Sequence, residues 1–286
     1  MAQSQPTNRQ FARLSGSDKW AGTATGRRRF GNARAAVQTV SRAAIVQMHE
    51  AALLLSVIAT APKNFISGDA VSASGPSPQD RSHAGCTRPV LLVHGFGGDK
   101  SSWTVVANAL GAEGVTIDTM TYAPVGNSVE QLADRLVAEV EKLLWRTGAQ
   151  KVHLVGHSLG GVIIAQAISD PRLNGRVDTV ITLGSPFGGS PWAGVLPVVE
   201  MVRALRSGSP LLRRLASTPF PDGVRWLSVT AALDIIVPGL RSMPSHPQVE
   251  TVTVNGVGHL GMLLSQRVIA LLVATLRAPA ATPMAA

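Results

Sequence analysis

Residues 152–161, V-H-L-V-G-H-S-L-G-G, constrain the fold more than any other stretch of this chain. A short apolar run, 152–155, reads as a buried strand. An apolar helix follows from about 159 to 168 and stops before Pro171. Between them stand only a serine and its glycine-flanked neighbours, so strand passes to helix with almost no loop. So tight a turn strains the backbone at Ser158, and side chains two residues to either side would collide across it. Gly156 and Gly160 remove those side chains. The serine hydroxyl is thereby left projecting into open space.

The same strand-then-helix alternation extends from Pro89 almost to the C-terminus. Strands are expected at 90–93, within 115–122, and at 152–155, 177–183, 224–230 and 249–254. Residues 128–146 read as an amphipathic helix, with Val129, Leu132, Leu136, Val140, Leu143 and Leu144 on one face. Ser128 with Gln131 gives it a capping-box spacing, and Gly148 stands just past its end. A last helix covers 262–276. Six strands joined by helical crossovers imply an α/β architecture with a mostly parallel, doubly wound sheet, and their near-continuous apolar runs imply burial on both faces. Residues 188–223 break the alternation. They open on Gly and Pro, carry helical patches at 198–206 and 210–215, and read as a cap inserted above the sheet.

Charge divides the chain at about residue 88. The formal net charge is +9, and residues 1–88 hold eleven Lys/Arg against four Asp/Glu, whereas the rest is nearly balanced. These residues form a basic N-terminal extension. Their first 35 are rich in Ser, Gly, Thr, Gln and Arg without periodicity. R-R-R-F at 27–30 faintly resembles a twin-arginine export signal, but Gly26 replaces the usual Ser/Thr and no apolar run follows closely. The apolar run 51–61 is too short to span a bilayer and reads as a packed or interfacial helix, or as a late signal core. Residues 67–88 read as a linker. A basic arm of this kind suits contact with an anionic membrane surface or a solvated leader. No nucleic-acid-binding motif accompanies it, so nucleic acid is not an expected partner. Cys86 is the only cysteine, which excludes an intramolecular disulfide and a multi-cysteine metal site.

A serine hydroxyl is a poor nucleophile until a base removes its proton, and that base is usually a histidine held by a carboxylate. For a serine on such a strand-to-helix turn the expected chain order is serine, acid, histidine. Only His246 and His259 lie downstream of Ser158. His259, within G-V-G-H-L-G, directly follows the last strand, whereas His246 sits in a proline-flanked loop before it. Position favours His259. Among the acids, Asp234 follows the strand at 224–230. Asp222 precedes that strand, and Asp178 and Glu250 each begin one, so Asp234 is the expected partner. Acyl transfer also needs donors for an oxyanion. The backbone N–H of Leu159 and that of Phe96, in the Gly-rich loop H-G-F-G-G at 94–98, are the expected pair. That loop lacks the Gly-Lys-Ser/Thr ending of a phosphate loop.

Taken together, V-H-G-F-G-G at 93–98, G-H-S-L-G-G at 156–161, L-G-S-P at 183–186, Asp234 and the loop of His259 resemble the α/β-hydrolase lipase/esterase family. The likeness covers 89 to about 276 and is nearest to bacterial lipases with a six-stranded form of the fold. It implies hydrolysis of acyl or lipid esters through an acyl-serine intermediate, with no cofactor or metal. It implies Ser158 as nucleophile, His259 as base, Asp234 as its orienting acid, and Phe96 and Leu159 as the oxyanion hole. Trp192, Val195, Leu196, Val198, Met201 and Leu205 form an apolar stripe in the cap, suited to an acyl chain or to packing on the domain. An acyltransferase with the same triad, or a non-catalytic binding scaffold, are the competing readings. Loss of the serine, acid or histidine is the mark of a scaffold, and none is missing.

Overall fold

The computed structural model describes residues 88–124, 126–194 and 200–277. The N-terminal extension ahead of Arg88, with its apolar run and most of its linker, lies outside them. Six strands form one all-parallel sheet: β1 (Val90–Val93), β2 (Ile117–Met120), β3 (Val152–His157), β4 (Val177–Leu183), β5 (Arg225–Ala231) and β6 (Glu250–Val254). Their order in space is β2-β1-β3-β4-β5-β6. The chain leaves β1 toward one edge and returns to β3 on its other side, so strand order reverses between β1 and β3. A ligand crevice in an open parallel sheet opens at such a reversal, outside the C-terminal strand ends.

Alternate residues of the central strands feed two cores. Leu91, Val93, Leu154 and Val180 pack against α2 (Val129–Thr147) and α3 (Leu159–Ala167) on one face. Val90, Leu92, Val155, Ile181 and Val229 pack against α1 (Thr104–Ala112) on the other. The last helix, α6 (Gln266–Arg277), shares that second face. Each fully buried Val, Leu or Ile contributes about 1.5–3 kcal/mol before entropy is counted. Between β4 and β5 lie a 3-10 turn (Pro191–Gly194), α4 (Glu200–Ala204) and α5 (Pro210–Ser217).

The capping box anticipated at α2 is present in full. Ser128 Oγ accepts from Gln131 N, the Gln131 side chain accepts from Ser128 N, and Gly148 takes the left-handed conformation (φ 71°) past the end. Three expectations need correction. Burial on both faces holds for β1, β3 and β4, and for β5 beyond its first residue, but not at the edges. Four of the five residues of β6 are exposed, because an edge strand has one neighbour and less helix cover. The helix α1 went unread. Its T-V-V-A-N-A-L-G-A run opens on three β-branched residues, and only Val106 and Leu110, four apart, are buried in it. Lastly, 262–276 is not one helix. A 3-10 turn (Gly261–Leu264) ends at Ser265, whose carbonyl then accepts from Ile269 N as α6 begins.

Candidate active site

Ser158 stands where β3 passes into α3, with φ 53° and ψ −119°. Among the described residues no other non-glycine has a positive φ. Such a conformation costs on the order of 1–3 kcal/mol and persists only where its surroundings impose it. The imposing contacts are all backbone. Ser158 N donates to Leu183 O at the end of β4 (2.8 Å), and Ser158 O accepts from Gly161 N (3.1 Å). The glycines make the close approach possible. A Cβ on Gly156 would lie 2.6 Å from Gly161 N, and one on Gly160 2.1 Å from Val93 O. Helix α3 thus meets the end of β1 at a distance only glycine allows.

Phe96 follows β1 and Leu159 follows β3, adjoining strands whose register sets Val93 opposite Gly156. Leu159 opens α3, with its amide in the first helical turn. The loop after β1 is pressed onto the serine turn at Gly95, where a Cβ would come 3.0 Å from Ser158 Cβ. Its base is fixed by His94, fully buried and stacked on Tyr122 with ring centroids 4.2 Å apart. Tyr122 N donates to His94 Nε2 (3.2 Å), so the proton resides on Nδ1, which donates to Gly95 O (2.8 Å). Tyr122 Oη donates to His94 O (2.7 Å). Burial pushes the His94 pKa down and holds the Tyr122 phenol well above its ordinary value.

Beyond the C-terminal ends of β5 and β6 lie Asp234 and His259, both buried. His259 Nδ1 is 2.7 Å from Asp234 Oδ2, and the other carboxylate oxygen accepts from Ile236 N (2.9 Å) and Val237 N (2.7 Å). A carboxylate that receives two amides on one oxygen keeps its second oxygen aimed at the imidazole. Nδ1 therefore donates to the carboxylate, so the neutral form of this imidazole presents its lone pair at Nε2. Gly184 links this pair to the serine turn. It follows Leu183, which accepts from Ser158 N, and its φ is 57°. A Cβ there would lie 3.1 Å from both Asp234 Oδ2 and His259 Nδ1.

The alternatives considered for acid and base are elsewhere. His246 Nε2 meets Leu215 O (3.3 Å) in a shallow recess formed with Trp226, Leu212 and Phe187. Asp222 is exposed, Glu250 pairs with Arg225, and Asp178 faces Arg88 and His153 near the opposite end of the strands. In the segment between β4 and β5, Met201 and Leu205 are buried in packing, while Val195, Leu196 and Val198 fall outside the described residues. Trp192 is 41% exposed and donates Nε1–H to Ile235 O (2.9 Å), beside Asp234. Ser190 Oγ donates to Ile236 O in the same loop (2.6 Å). Helix α5, by contrast, packs beside α2 and α3, with Arg214 paired to Glu130 and bonded to Gln166.

Sequence reasoning passed over His157, Gly184 and Tyr122. His157 stood in plain view as the variable position before the serine, but nothing in the motif says what its ring touches. Burial drives its pKa down to about 3, and the neighbouring His259 adds to the effect.

Residues 88–227 match the family model described as the alpha/beta hydrolase fold. The chain is 29% identical to the triacylglycerol lipase of Vibrio cholerae over 184 residues, which are 61% of this chain and 53% of that one. It is 31% identical to the triacylglycerol lipase of Burkholderia plantarii over 48% of this chain and 40% of that one. Identity reaches 36% with the dihydrolipoyllysine-residue acetyltransferase component of the acetoin cleaving system of Cupriavidus necator, over 36% of this chain and 28% of that one. The chain thus spans about half or less of the length of these curated relatives. Among solved structures, the mature form of the Bacillus licheniformis lipase BlEst2 superposes with a TM-score of 0.60 at 18% identity, covering 73% of this chain and 96% of that one.

Proposed function

From the premise that the chain has the α/β-hydrolase fold and is lipase- and esterase-like, we propose that it is a serine hydrolase cleaving acyl esters. The observation that carries this reading is the 2.7 Å bond between Asp234 and His259, at the same sheet edge as the strained Ser158 turn. Lipase-like relatives support ester hydrolysis in general. The residue roles rest on the geometry of this edge.

In the proposed reaction, Ser158 Oγ attacks the ester carbonyl carbon while its proton passes to His259 Nε2. The tetrahedral oxyanion accepts the N–H groups of Leu159 and Phe96, in a setting where such donors supply a large share of the rate. Asp234 keeps the Nδ1–H tautomer and stabilises the imidazolium. His259 then gives its proton to the departing alkoxide, leaving acyl-Ser158. Water, deprotonated by the same Nε2, attacks the acyl carbon. The acid leaves, and the proton returns to Ser158.

A panel of p-nitrophenyl esters of increasing acyl length tests the reading. Turnover of at least one ester, abolished by Ser158→Ala, is expected; no turnover of any ester contradicts it. Preference for long acyl groups makes it a lipase, and preference for short ones a general esterase. The acetyltransferase component among the relatives motivates a second arm with added alcohol acceptors. Product partitioning mainly to new ester, at acceptor levels far below that of water, assigns it as an acyltransferase instead.

A further inference from the structure

We propose that His157 is a positioning residue that ties the nucleophile turn to the base loop, holding His259 at working distance from Ser158. The proposal deepens the hydrolase reading and rests on it.

His157 is buried, and its Nε2 lies 3.0 Å from the backbone carbonyl of His259, 102 residues away in sequence. A carbonyl oxygen only accepts, so Nε2 must carry the proton; burial keeps the ring from taking a second one, which leaves Nδ1 bare. The imidazole is therefore neutral and locked in one tautomer. Its two rims face different parts of the site. Nε2–H reaches the base loop, while Nδ1 lies 3.0 Å from where a Cβ on Gly95 would stand, in the loop after β1. Through its own peptide, His157 also carries Ser158. One residue thus joins the three segments whose mutual spacing the chemistry needs, two through its ring and one through its peptide.

This strut matters because the base loop has little regular structure to hold it. His259 lies between the end of β6 at Val254 and the 3-10 turn at Gly261. Asp234 fixes the end of its side chain and His157 fixes its backbone, so the imidazole is held from both ends. The rings of His157 and His259 sit 4.7 Å apart. A cation at His157 would repel the imidazolium that forms on His259. Burial keeps the ring neutral and removes that conflict.

Three variants of the full chain test the proposal: His157→Leu, His157→Gln and His157→Asn. Glutamine can set an N–H near the Nε2 position, whereas asparagine is too short and leucine has no donor. Active sites are counted by fluorophosphonate labelling, so kcat refers to folded enzyme. Expected for His157→Leu and His157→Asn is a kcat lower by about 10²-fold with KM within about threefold, the cost of a small misplacement of reacting groups. His157→Gln should recover to within about tenfold of wild type. If the Leu variant does not fold, the Gln–Asn difference decides. Equal kcat in Gln and Asn, or an Asn or Leu variant at the wild-type kcat per labelled site, overturns the role of His157. A wild-type protein that is neither labelled nor hydrolytic overturns the hydrolase reading itself, and this proposal with it.

Discussion

His259 and Asp234 lie beyond the C-terminal ends of β5 and β6, whereas His153 and Asp178 lie near the N-terminal ends of β3 and β4. Both are buried histidine–aspartate pairs in one sheet, yet they are built differently. In the first, the two side chains are 2.7 Å apart and the free carboxylate oxygen is held by two amides. In the second, His153 Nδ1 stands 3.7 Å from Asp178 Oδ2, and no hydrogen bond reaches that nitrogen. Asp178 Oδ2 instead accepts from Thr179 Oγ1 (3.2 Å) and faces Arg88 (3.5 Å). Burial takes the His153 pKa down to about 4, with Asp178 pulling only partly the other way. Residue types and burial alike are shared, so neither makes a proton-transfer pair. A fixed hydrogen bond and the strained Ser158 turn at the same end of the strands distinguish the first.

Removing each carboxylate is the sharpest way to break this contrast. Asp234→Asn should lower kcat by about 10³–10⁴-fold, since the amide favours the wrong imidazole tautomer. Asp178→Asn should leave kcat within about twofold and lower the melting temperature. Steady-state kinetics and thermal melts on both variants check this, and equal kinetic losses would erase the distinction.

The two edges also differ in what their glycines do. Gly160→Ala would thrust a methyl to 2.1 Å from Val93 O, backbone that cannot step aside without moving the serine turn. A loss in kcat of more than about 10²-fold is expected. Gly175, at the other edge, has φ 69° but nothing within 4 Å of an added Cβ. There alanine should cost only about 1 kcal/mol of stability, read by urea unfolding, with kcat unchanged.

The His153 pair should announce itself through pH and stability. Its folded pKa lies below the unfolded value of about 6.5, so the unfolded chain takes up the proton first as pH falls. The contribution is whole above pH 6.5 and is lost progressively toward pH 4. Between pH 7 and 5 this amounts to about 2 kcal/mol, and His153→Leu should flatten the urea-unfolding dependence by that amount. His157 adds a loss of the same sign, which the variant retains. The smallest effect is expected at Tyr122→Phe, which removes the hydroxyl donor to His94 O and should cost about 1 kcal/mol of stability.

Much of this was legible in the sequence because it is local. Strand β4 and the cap of α2 are written in contiguous runs, and Ser158 in five residues with a steric reason for each glycine. Asp234 and His259 followed from their places after strands. What stayed hidden depends on partners distant in the chain. The role of His157 needs the carbonyl of residue 259, and the side chains that leave no room for a Cβ at Gly184, those of Met262, Asp234 and His259, are fifty or more residues on. Helix α1 was missed for a different reason, since only Val106 and Leu110 are buried in it and two positions are too few to set a helical period. The edge strand β6 looked like its inner neighbours because a sequence does not say which strand comes last in space.

The central claim is that Ser158 is the nucleophile activated at this edge. Its most direct measurement is intact-mass analysis after exposure to a fluorophosphonate, with peptide mapping of the adduct. A single adduct on Ser158, absent in Ser158→Ala and strongly slowed in Asp234→Asn, is the predicted result. No adduct on the folded protein, or an adduct that survives Ser158→Ala, would contradict it.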